Sequence, residues 1–496
     1  MSYDSHIAAP ERAGPSEAGL GDLARFVGET RPLVFLRECD HTVILRPNKV
    51  FRVNDTAWEI LSGVYTGAEG NVTSRALTGV AEGVAQRYGE PSARVLTDLA
   101  GLLHTLAGLF RDDVAGCGHI RKVGFGERRL EWPILSEIAL TYGCQARCRF
   151  CYASAPERGP RVTDMTTDEV GTVIDRIAGE AFCPSLSFSG GEPTLRADLV
   201  ELIRHAKARK LRVNLITNGI RCAEPGYAEQ LADAGLDSAQ VSLEGGSADV
   251  HDVIVARPGA FAATTAGVRA LRAAGIHTHT NTTLCGLNRD RLAGLVDYVA
   301  RDLGLEYFSM NLVIRTGSSL GDDEIDIRYN DLRTVVPRAF DQARELGIKP
   351  VWYSPTPLCV FNPMAYGVSS STCACCESLL SVSPCGDVLP CSSFERGVGN
   401  LLRHPFETVW RGRAARYWRS KAAAPPGCSE CELYRACYGA CPLYWDDRGS
   451  FAEIDARRPR AGRFAHSVWA FRRRRVGRVF GVGVAGDTSG RRSHHG

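Results

Sequence analysis

Residues 144–151 read Cys144-Gln145-Ala146-Arg147-Cys148-Arg149-Phe150-Cys151, a C-x3-C-x2-C triplet. Three thiolates so close together do not make up the four-ligand shell of a structural zinc. They can hold three irons of a [4Fe–4S] cluster and leave the fourth iron open to a small molecule. The apolar stretch Ile134 to Leu140 before the triplet reads as a strand. The cluster is therefore expected on a loop at a strand's C-terminal end, where barrel enzymes place their chemistry.

Outward from the triplet, residues 134–350 alternate strand and helix. Strands are expected at 134–141, 184–189, 211–216, 238–243, 276–283, 306–313 and 349–353. Helices are expected over Thr167–Ala178, Leu199–Ala208, Tyr227–Ala234, Ala260–Ala274, Arg289–Leu303 and Asn330–Leu346. Repeated βα units with short connections predict parallel strands, in a partial barrel or a doubly wound sheet. The second strand runs into Ser189-Gly190-Gly191-Glu192-Pro193. Two glycines there can bring backbone close to a ligand, and Glu192 offers a carboxylate to a cation.

The triplet and the Gly-Gly-Glu-Pro segment together make this part of the chain resemble the radical S-adenosylmethionine (SAM) enzymes. Thr217-Asn218-Gly219 and Val241-Ser242-Leu243-Glu244-Gly245 extend the resemblance, although the latter more often reads Ser-Leu-Asp-Gly in that family. The resemblance implies an α/β partial (β/α)6 barrel with a [4Fe–4S] cluster on Cys144, Cys148 and Cys151. SAM would be chelated by the open iron. Phe150 would lie near the adenine, Gly190, Gly191 and Glu192 would meet the SAM amino group, and Arg257 its carboxylate. Asn218 and Ser242 complete the implied SAM contacts. The implied chemistry is reductive cleavage of SAM to a 5′-deoxyadenosyl radical, with a flavodoxin or ferredoxin as electron donor.

The chain has 496 residues, 44% hydrophobic and 23% charged, enough for about three domains. A net charge of +3 is too small to imply nucleic acid. No unbroken apolar run of about 18 residues marks a membrane span. Met1 to Gly21 lacks a basic-then-apolar signal pattern, so a cytoplasmic protein is expected. Most of the 18 cysteines cluster between Cys359 and Cys441, and in a reducing compartment such clusters are metal ligands more often than disulfides. Scattered Cys39, Cys117, Cys183, Cys222 and Cys285 read as small hydrophobes.

The C-terminal cysteines run Cys376-x9-Gly386-x4-Cys391, then Cys428-x2-Cys431-x5-Cys437-x3-Cys441. Paired C-x2-C is common in zinc ribbons, but the x5 and x3 spacings fit a ribbon poorly. They resemble the SPASM extension of radical SAM enzymes, which implies two auxiliary [4Fe–4S] clusters. By that resemblance Cys376, Cys391 and Cys441 belong to the first cluster, with Cys359, Cys373 or Cys375 upstream. Cys428, Cys431 and Cys437 belong to the second. No cysteine follows Cys441, so the second cluster is left to an open iron, a carboxylate (Asp446, Asp447 or Asp455), or Cys385 or Cys375.

Residues 1–30 are rich in small and polar types and read as a flexible N-terminus. Residues 31–113 read as a small domain with strands at Leu33–Arg37, Thr42–Arg46 and Lys49–Val53. A helix capped by Asn54 or Asp55 follows, then a second marked by Ala76, Val80 and Val84. A third carries Val95, Leu99, Leu102, Leu103, Leu106 and Phe110. This order resembles the winged-helix, PqqD-like RiPP recognition element, on Leu36-Arg37-Glu38, Val50-Phe51-Arg52-Val53-Asn54 and Ala57-Trp58-Glu59-Ile60-Leu61. The resemblance implies that a leader peptide adds a strand to the sheet edge. A DNA-reading winged helix is disfavoured, because Arg94 is the only Lys or Arg between Ala93 and Phe110. Residues 114–133 read as a linker, 351–456 as the auxiliary-cluster domain, and 457–496, with Arg472–Arg475 consecutive, as a disordered tail.

These readings converge on a maturase that modifies the core of a ribosomally made precursor peptide, most simply by an oxidative thioether or carbon–carbon cross-link. Peptide epimerisation, or action on a small molecule such as a haem precursor, is the alternative. Sulfatase maturation is disfavoured, since that family has Asp after a cluster cysteine and here Ser392 follows Cys391.

Overall fold

Ser16 Oγ accepts the Gly19 amide at 3.2 Å and starts a helix, Glu17–Thr30, that the composition of the first residues conceals. The computed structural model describes residues 16–46, 49–67, 72–110, 120–123, 131–368, 372–454 and 463–480. The chain divides into two units, residues 1–125 and 126–496.

In the first unit, Leu20, Leu23, Phe26 and Val27 of the opening helix are buried. The expected looseness of residues 1–30 is corrected for Glu17–Thr30, where small residues between the leucines mask a helical repeat. Four antiparallel strands form one sheet in the order β1 (Val34–Arg37), β2 (Thr42–Leu45), β3 (Lys49–Val53) and β4 (Ile120–Val123). Strand β4 lies in the expected linker 114–133, a second correction. It is short and carries two basic residues, so its pattern gave no sign of pairing with β3. Asn54 Oδ1 caps helix Asp55–Thr66 through the Ala57 amide at 2.9 Å. Helix Ser74–Tyr88 buries Leu77, Ala81 and Val84, a face turned from the expected Ala76/Val80 line. Helix Ser92–Phe110 buries the predicted Val95, Leu99, Leu102, Leu103, Leu106 and Phe110. It is the one described helix long and apolar enough to cross a membrane, and half of that stretch is buried.

The second unit is built on a ten-stranded sheet. Strands β5 (Leu135–Thr141), β6 (Ser185–Gly190), β7 (Arg212–Thr217), β8 (Ser238–Ser242), β9 (His277–Leu284), β10 (Tyr307–Leu312) and β11 (Lys349–Trp352) run parallel in sequence order. Helices Thr167–Gly179, Leu199–Ala208, Tyr227–Asp233, Ala260–Ala273, Leu292–Asp297 and Leu332–Glu345 fill the crossovers. The fifth continues as a π-helical turn, Tyr298–Asp302. At the other side of β5 the C-terminal domain adds β12 (Leu379–Val382) in parallel. The antiparallel strands β13 (Asp387–Leu389) and β14 (Gly399–Asn400) follow. The outer strands β11 and β14 do not pair, so the α/β barrel is partial.

The expected disordered tail 457–496 is corrected for Arg463–Phe480, a third correction, while residues 457–462 and 481–496 lie outside the described residues. Arg463–Phe480 is a helix whose Trp469 and His466 are buried, and Trp469 Nε1 donates to Ala423 O at 3.0 Å. Arg473 is 3% exposed and pairs with Asp446. The run of arginines hid this face because only one of them points inward.

Strand faces alternate. Leu186, Phe188, Val213, Leu215, Ala239 and Val241 pack with the helices in one core. The opposite face is polar: Asn214 bridges Ser187 (3.2 Å) and Ser238 (2.8 Å), and Asn281 Nδ2 donates to Asn311 at 2.6 Å. His279 lies on this polar face with neither ring nitrogen hydrogen-bonded. Burial holds its pKa down to about 3, with His277 adding repulsion. A histidine kept neutral by the fold binds protons more readily when unfolded, so stability is lost as pH falls below the ordinary value of 6.5. Denaturant titrations between about pH 7 and 5 should therefore show a steep loss in the parent and a shallower one in His279→Phe. Equal slopes would refute this.

Candidate functional site

Strand β5 delivers the chain to Thr141, and the cysteine loop follows under close main-chain control. The amides of Ala146 and Ala155 point at the thiols of Cys144 and Cys151, each at 3.4 Å. Arg147 and Arg149 amides donate to Val255 O (3.1 Å) and Ile254 O (2.9 Å). The Arg149 guanidinium clamps Asp322 at 2.7 and 2.8 Å and Glu324 at 2.6 Å. Arg257, expected near a SAM carboxylate, donates to Gln145 O at 2.6 Å and so braces the same loop. Phe150 is half-buried between Cys148 and Cys151. Burial raises all three thiols, Cys144 to about 11, and each would repel another thiolate. Such a set stays protonated until a strongly positive partner replaces the protons.

The Gly-Gly-Glu turn packs on this loop rather than opening to solvent. Gly190 has φ +138°, and a Cβ there would stand 2.2 Å from Thr141 O; at Gly191 it would stand 2.4 Å from Gly143 O. The Gly191 and Glu192 amides donate to Thr141 O (2.7 Å) and Gly143 O (2.9 Å). Glu192, expected to meet an ammonium, is fully buried and hydrogen-bonded within the chain. Its Oε1 accepts from Thr194 and Thr217, its Oε2 from the Asn218 amide at 2.8 Å. It holds the ends of β6 and β7 together. Asn218 is different: its Nδ2 has no oxygen or nitrogen acceptor and turns to the Cys144 thiol. A buried donor left over beside a thiol suits a sulfur-bound cluster and its ligand.

Ser242 ends β8 in register with Asn281, on the polar face. Glu244, two residues on, is 1% exposed and accepts the Thr283 amide at 2.7 Å. Burial lifts its pKa to about 8, and it faces Cys148. Sequence reasoning noted Glu244 only as a departure from the usual aspartate.

The C-terminal thiols form two groups. Cys375 hydrogen-bonds with Cys373 and Cys391, and Cys441 faces Cys373 and Cys391. Cys376, expected as the ligand here, is fully buried and also faces Cys391 and Cys373. In the second group the Leu358 amide reaches the Cys437 thiol, which faces Cys359. Cys428 and Cys431 lie on the neighbouring turn, where the Cys431 amide donates to Cys428 O at 3.0 Å. Of the carboxylates weighed as ligands, Asp446 pairs with Arg473 and Asp447 with Arg315 at 3.7 Å, while Asp455 lies outside the described residues. Cys385 is exposed and donates to Thr163 O at 3.6 Å. Cys183, Cys222 and Cys285 are buried as expected, Cys39 is exposed, and Cys117 lies outside the described residues. Among the described residues no three such side chains converge on a point as ligands of one ion would; the thiols group more loosely.

Sequence reasoning also missed Glu137, Tyr152, Glu377 and Lys421. Glu137 could have been found as the one carboxylate in the apolar strand Leu135–Thr141. Glu377 and Lys421 lie far apart in sequence, and only folding pairs them.

Residues 138–299 match the family model of the Radical SAM superfamily, and residues 373–432 that of the SPASM iron–sulfur cluster-binding domain. The AdoMet-dependent heme synthase of Methanosarcina barkeri is 28% identical over 336 residues, 65% of this chain and 95% of that one. The PqqA peptide cyclase of Xanthomonas campestris pv. campestris is 27% identical over 322 residues, 62% of this chain and 82% of that one. Among solved structures, Streptococcus suis SuiB bound to S-adenosylmethionine superposes with a TM-score of 0.59 at 17% identity, over 83% of this chain and 95% of its own. SuiB has also been solved with its precursor peptide SuiA. The chain thus carries a radical SAM domain and a SPASM domain and is an enzyme. Its barrel domain binds a [4Fe–4S] cluster and SAM, and its C-terminal domain is iron–sulfur cluster-binding.

Beneath the first group of C-terminal thiols lies a buried ion pair. Lys421 Nζ stands 2.5 Å from Glu377 Oε2 and donates to Cys373 O at 2.5 Å, with side chains 4% and 0% exposed. Removing one partner of such a pair strands the other charge and costs about 3–5 kcal/mol, while replacing both with apolar groups is near neutral. Lys421→Met should therefore lower the thermal midpoint sharply, and adding Glu377→Leu should recover much of the loss. A double variant no more stable than the single one would contradict this.

Proposed function

We propose that this enzyme matures a ribosomally made precursor peptide, binding its leader through the first unit and modifying its core at the barrel. With SAM, the cluster held by Cys144, Cys148 and Cys151 supplies a 5′-deoxyadenosyl radical that removes a hydrogen atom from substrate. The chain's own residues orient that event: Arg149 and Arg257 hold the cysteine loop, and the serines and asparagines of the polar sheet face offer hydrogen bonds to a bound peptide. Among the described residues strand β1 has a strand neighbour on one side only, leaving an edge to which a leader can add. Tethering the leader would raise the core's local concentration at the radical site. An oxidative cross-link is the modification favoured, because auxiliary clusters can take the electron that the substrate must lose.

The observation that carries this reading is the extent of the SuiB likeness. Residues 126–496 are about three quarters of the chain, less than the 83% that superposes, so the shared fold reaches into the first unit. A second reading, action on a small molecule, is favoured by the heme synthase similarity. That similarity leaves about a third of this chain unmatched, whereas a peptide maturase gives the added unit a task.

Within the C-terminal domain, Cys373, Cys391 and Cys441, with Cys375 or Cys376, would ligate the first auxiliary cluster. Cys359 would join Cys428, Cys431 and Cys437 at the second, in place of the missing downstream cysteine. The Leu358 amide at the Cys437 thiol supports this, as does the engagement of Asp446 and Asp447 by arginines.

Should a short reading frame beside the gene encode a precursor peptide, its incubation with the enzyme, SAM and a reductant should remove two hydrogens from the peptide mass. Residues 126–496 alone should cleave SAM yet process the peptide poorly. An unchanged peptide mass, or undiminished turnover by the fragment, would count against the reading. Separately, Cys359→Ala should lower iron content and alter one auxiliary-cluster electron paramagnetic resonance signal, and Cys385→Ala should do neither. Full iron and unaltered signals in Cys359→Ala would remove Cys359 from the ligand set.

A further inference from the structure

Glu137 stands alone as a carboxylate on the polar face of β5. Register places it beside Ser187 of β6 and Ser381 of β12. Ser381 Oγ donates to its Oε1 at 2.7 Å, and Ser392 also hydrogen-bonds to it. Tyr152 shares Ser392 and faces the same carboxyl, with Tyr142 beyond. Among the described residues no Lys, Arg or His pairs with Glu137. An unpaired carboxyl in such a place is expensive unless it has a task.

Its surroundings indicate the task. Tyr152 directly follows Cys151 of the SAM-cluster loop, and Ser392 directly follows Cys391 of the first auxiliary group. Glu137 therefore sits between the place where the radical arises and the place where an electron can be accepted. Glu137, Tyr152, Cys391, Ser392 and Cys441 are each half-buried rather than sealed in the core, so this polar face keeps surface that a substrate can reach.

We propose that Glu137 is the proton acceptor of the oxidative step, taking the proton that the substrate releases as its electron passes to the first auxiliary cluster. This rests on the oxidative reading above. After hydrogen-atom abstraction the substrate holds a carbon radical. A bond forms between that carbon and a second substrate atom, sulfur or carbon, and the hydrogen on the second atom leaves as a proton. One electron goes to the oxidised auxiliary [4Fe–4S] cluster, which is reduced by one unit, and the proton goes to the Glu137 carboxylate. Ser381 and Ser392 hold the carboxylate on the polar face. Burial raises its pKa, with the two serine hydrogen bonds opposing, which makes it a better base than an exposed carboxylate. The titratable groups facing it are Tyr142 and Tyr152, both raised by burial, so neither supplies a competing anion.

The test uses the cluster-loaded full chain and measures cross-linked peptide formed per 5′-deoxyadenosine. Glu137→Gln should lower that ratio about a hundredfold, and Glu137→Asp should give an intermediate ratio with a displaced pH profile. A merely structural Glu137 would leave the ratio and its pH profile as in the parent, and that result overturns the proposal. Infrared difference spectra of protein labelled with 13C-carboxyl glutamate give a readout independent of turnover. A carboxylic-acid band that titrates above the ordinary carboxylate range and is missing from Glu137→Gln is expected; a band that persists in the variant overturns the assignment. Should Glu137→Gln fail to load clusters, the Glu137→Asp profile and the parent's titrating band decide. Should the parent convert no peptide, the peptide reading falls while the infrared result still decides Glu137.

Discussion

The site depends on a main-chain contact between two loops. The Gly191 and Glu192 amides bind the carbonyls of Thr141 and Gly143, which lie just before Cys144. Neither glycine position has room for a side chain, because each backbone is in contact with the other. Glu192 then ties in Thr217 and Asn218 at the end of β7. Three successive strand ends are locked by backbone and by one buried carboxylate. The thiols between them can be placed accurately although they lie on a loop.

Charge decides much of the rest. Burial pushes the SAM-cluster thiols up, whereas the first auxiliary group has Lys421 and Arg419 close by. Positive charge next to a cluster favours its reduced state. Lys421 and Arg419 beside these thiols therefore suit an electron acceptor. Glu137, unpaired and between the two groups, complements it by handling the proton.

The barrel was legible because each βα unit has strong periodicity. Leu199–Ala208 was read to the residue, and the other boundaries lie within a few positions, the largest shift being the fifth crossover, where a π-helical turn replaces the last helical turn. The cysteine triplet and the glycine turn were legible because their spacings are constrained by chemistry. What escaped was long-range. Helix Glu17–Thr30 and helix Arg463–Phe480 owe their order to packing partners, not to their own composition. The bonds of Glu192 to Thr217 and Asn218 are likewise long-range and invisible in its own segment. One clue was present and unread. Parallel strands buried on both faces are usually apolar throughout, yet β6 reads Ser185-Leu186-Ser187-Phe188-Ser189. That alternation marks a sheet with a polar face on one side.

Strand β12 belongs to the C-terminal domain in sequence but to the barrel in hydrogen bonding, paired residue for residue with β5 from Leu379↔Leu135 to Val382↔Ile138. On the oxidative reading proposed above, the span between the barrel and the auxiliary thiols is thus set by a hydrogen-bonded ladder instead of a hinge. Loops around the polar face can then differ in position without changing that span.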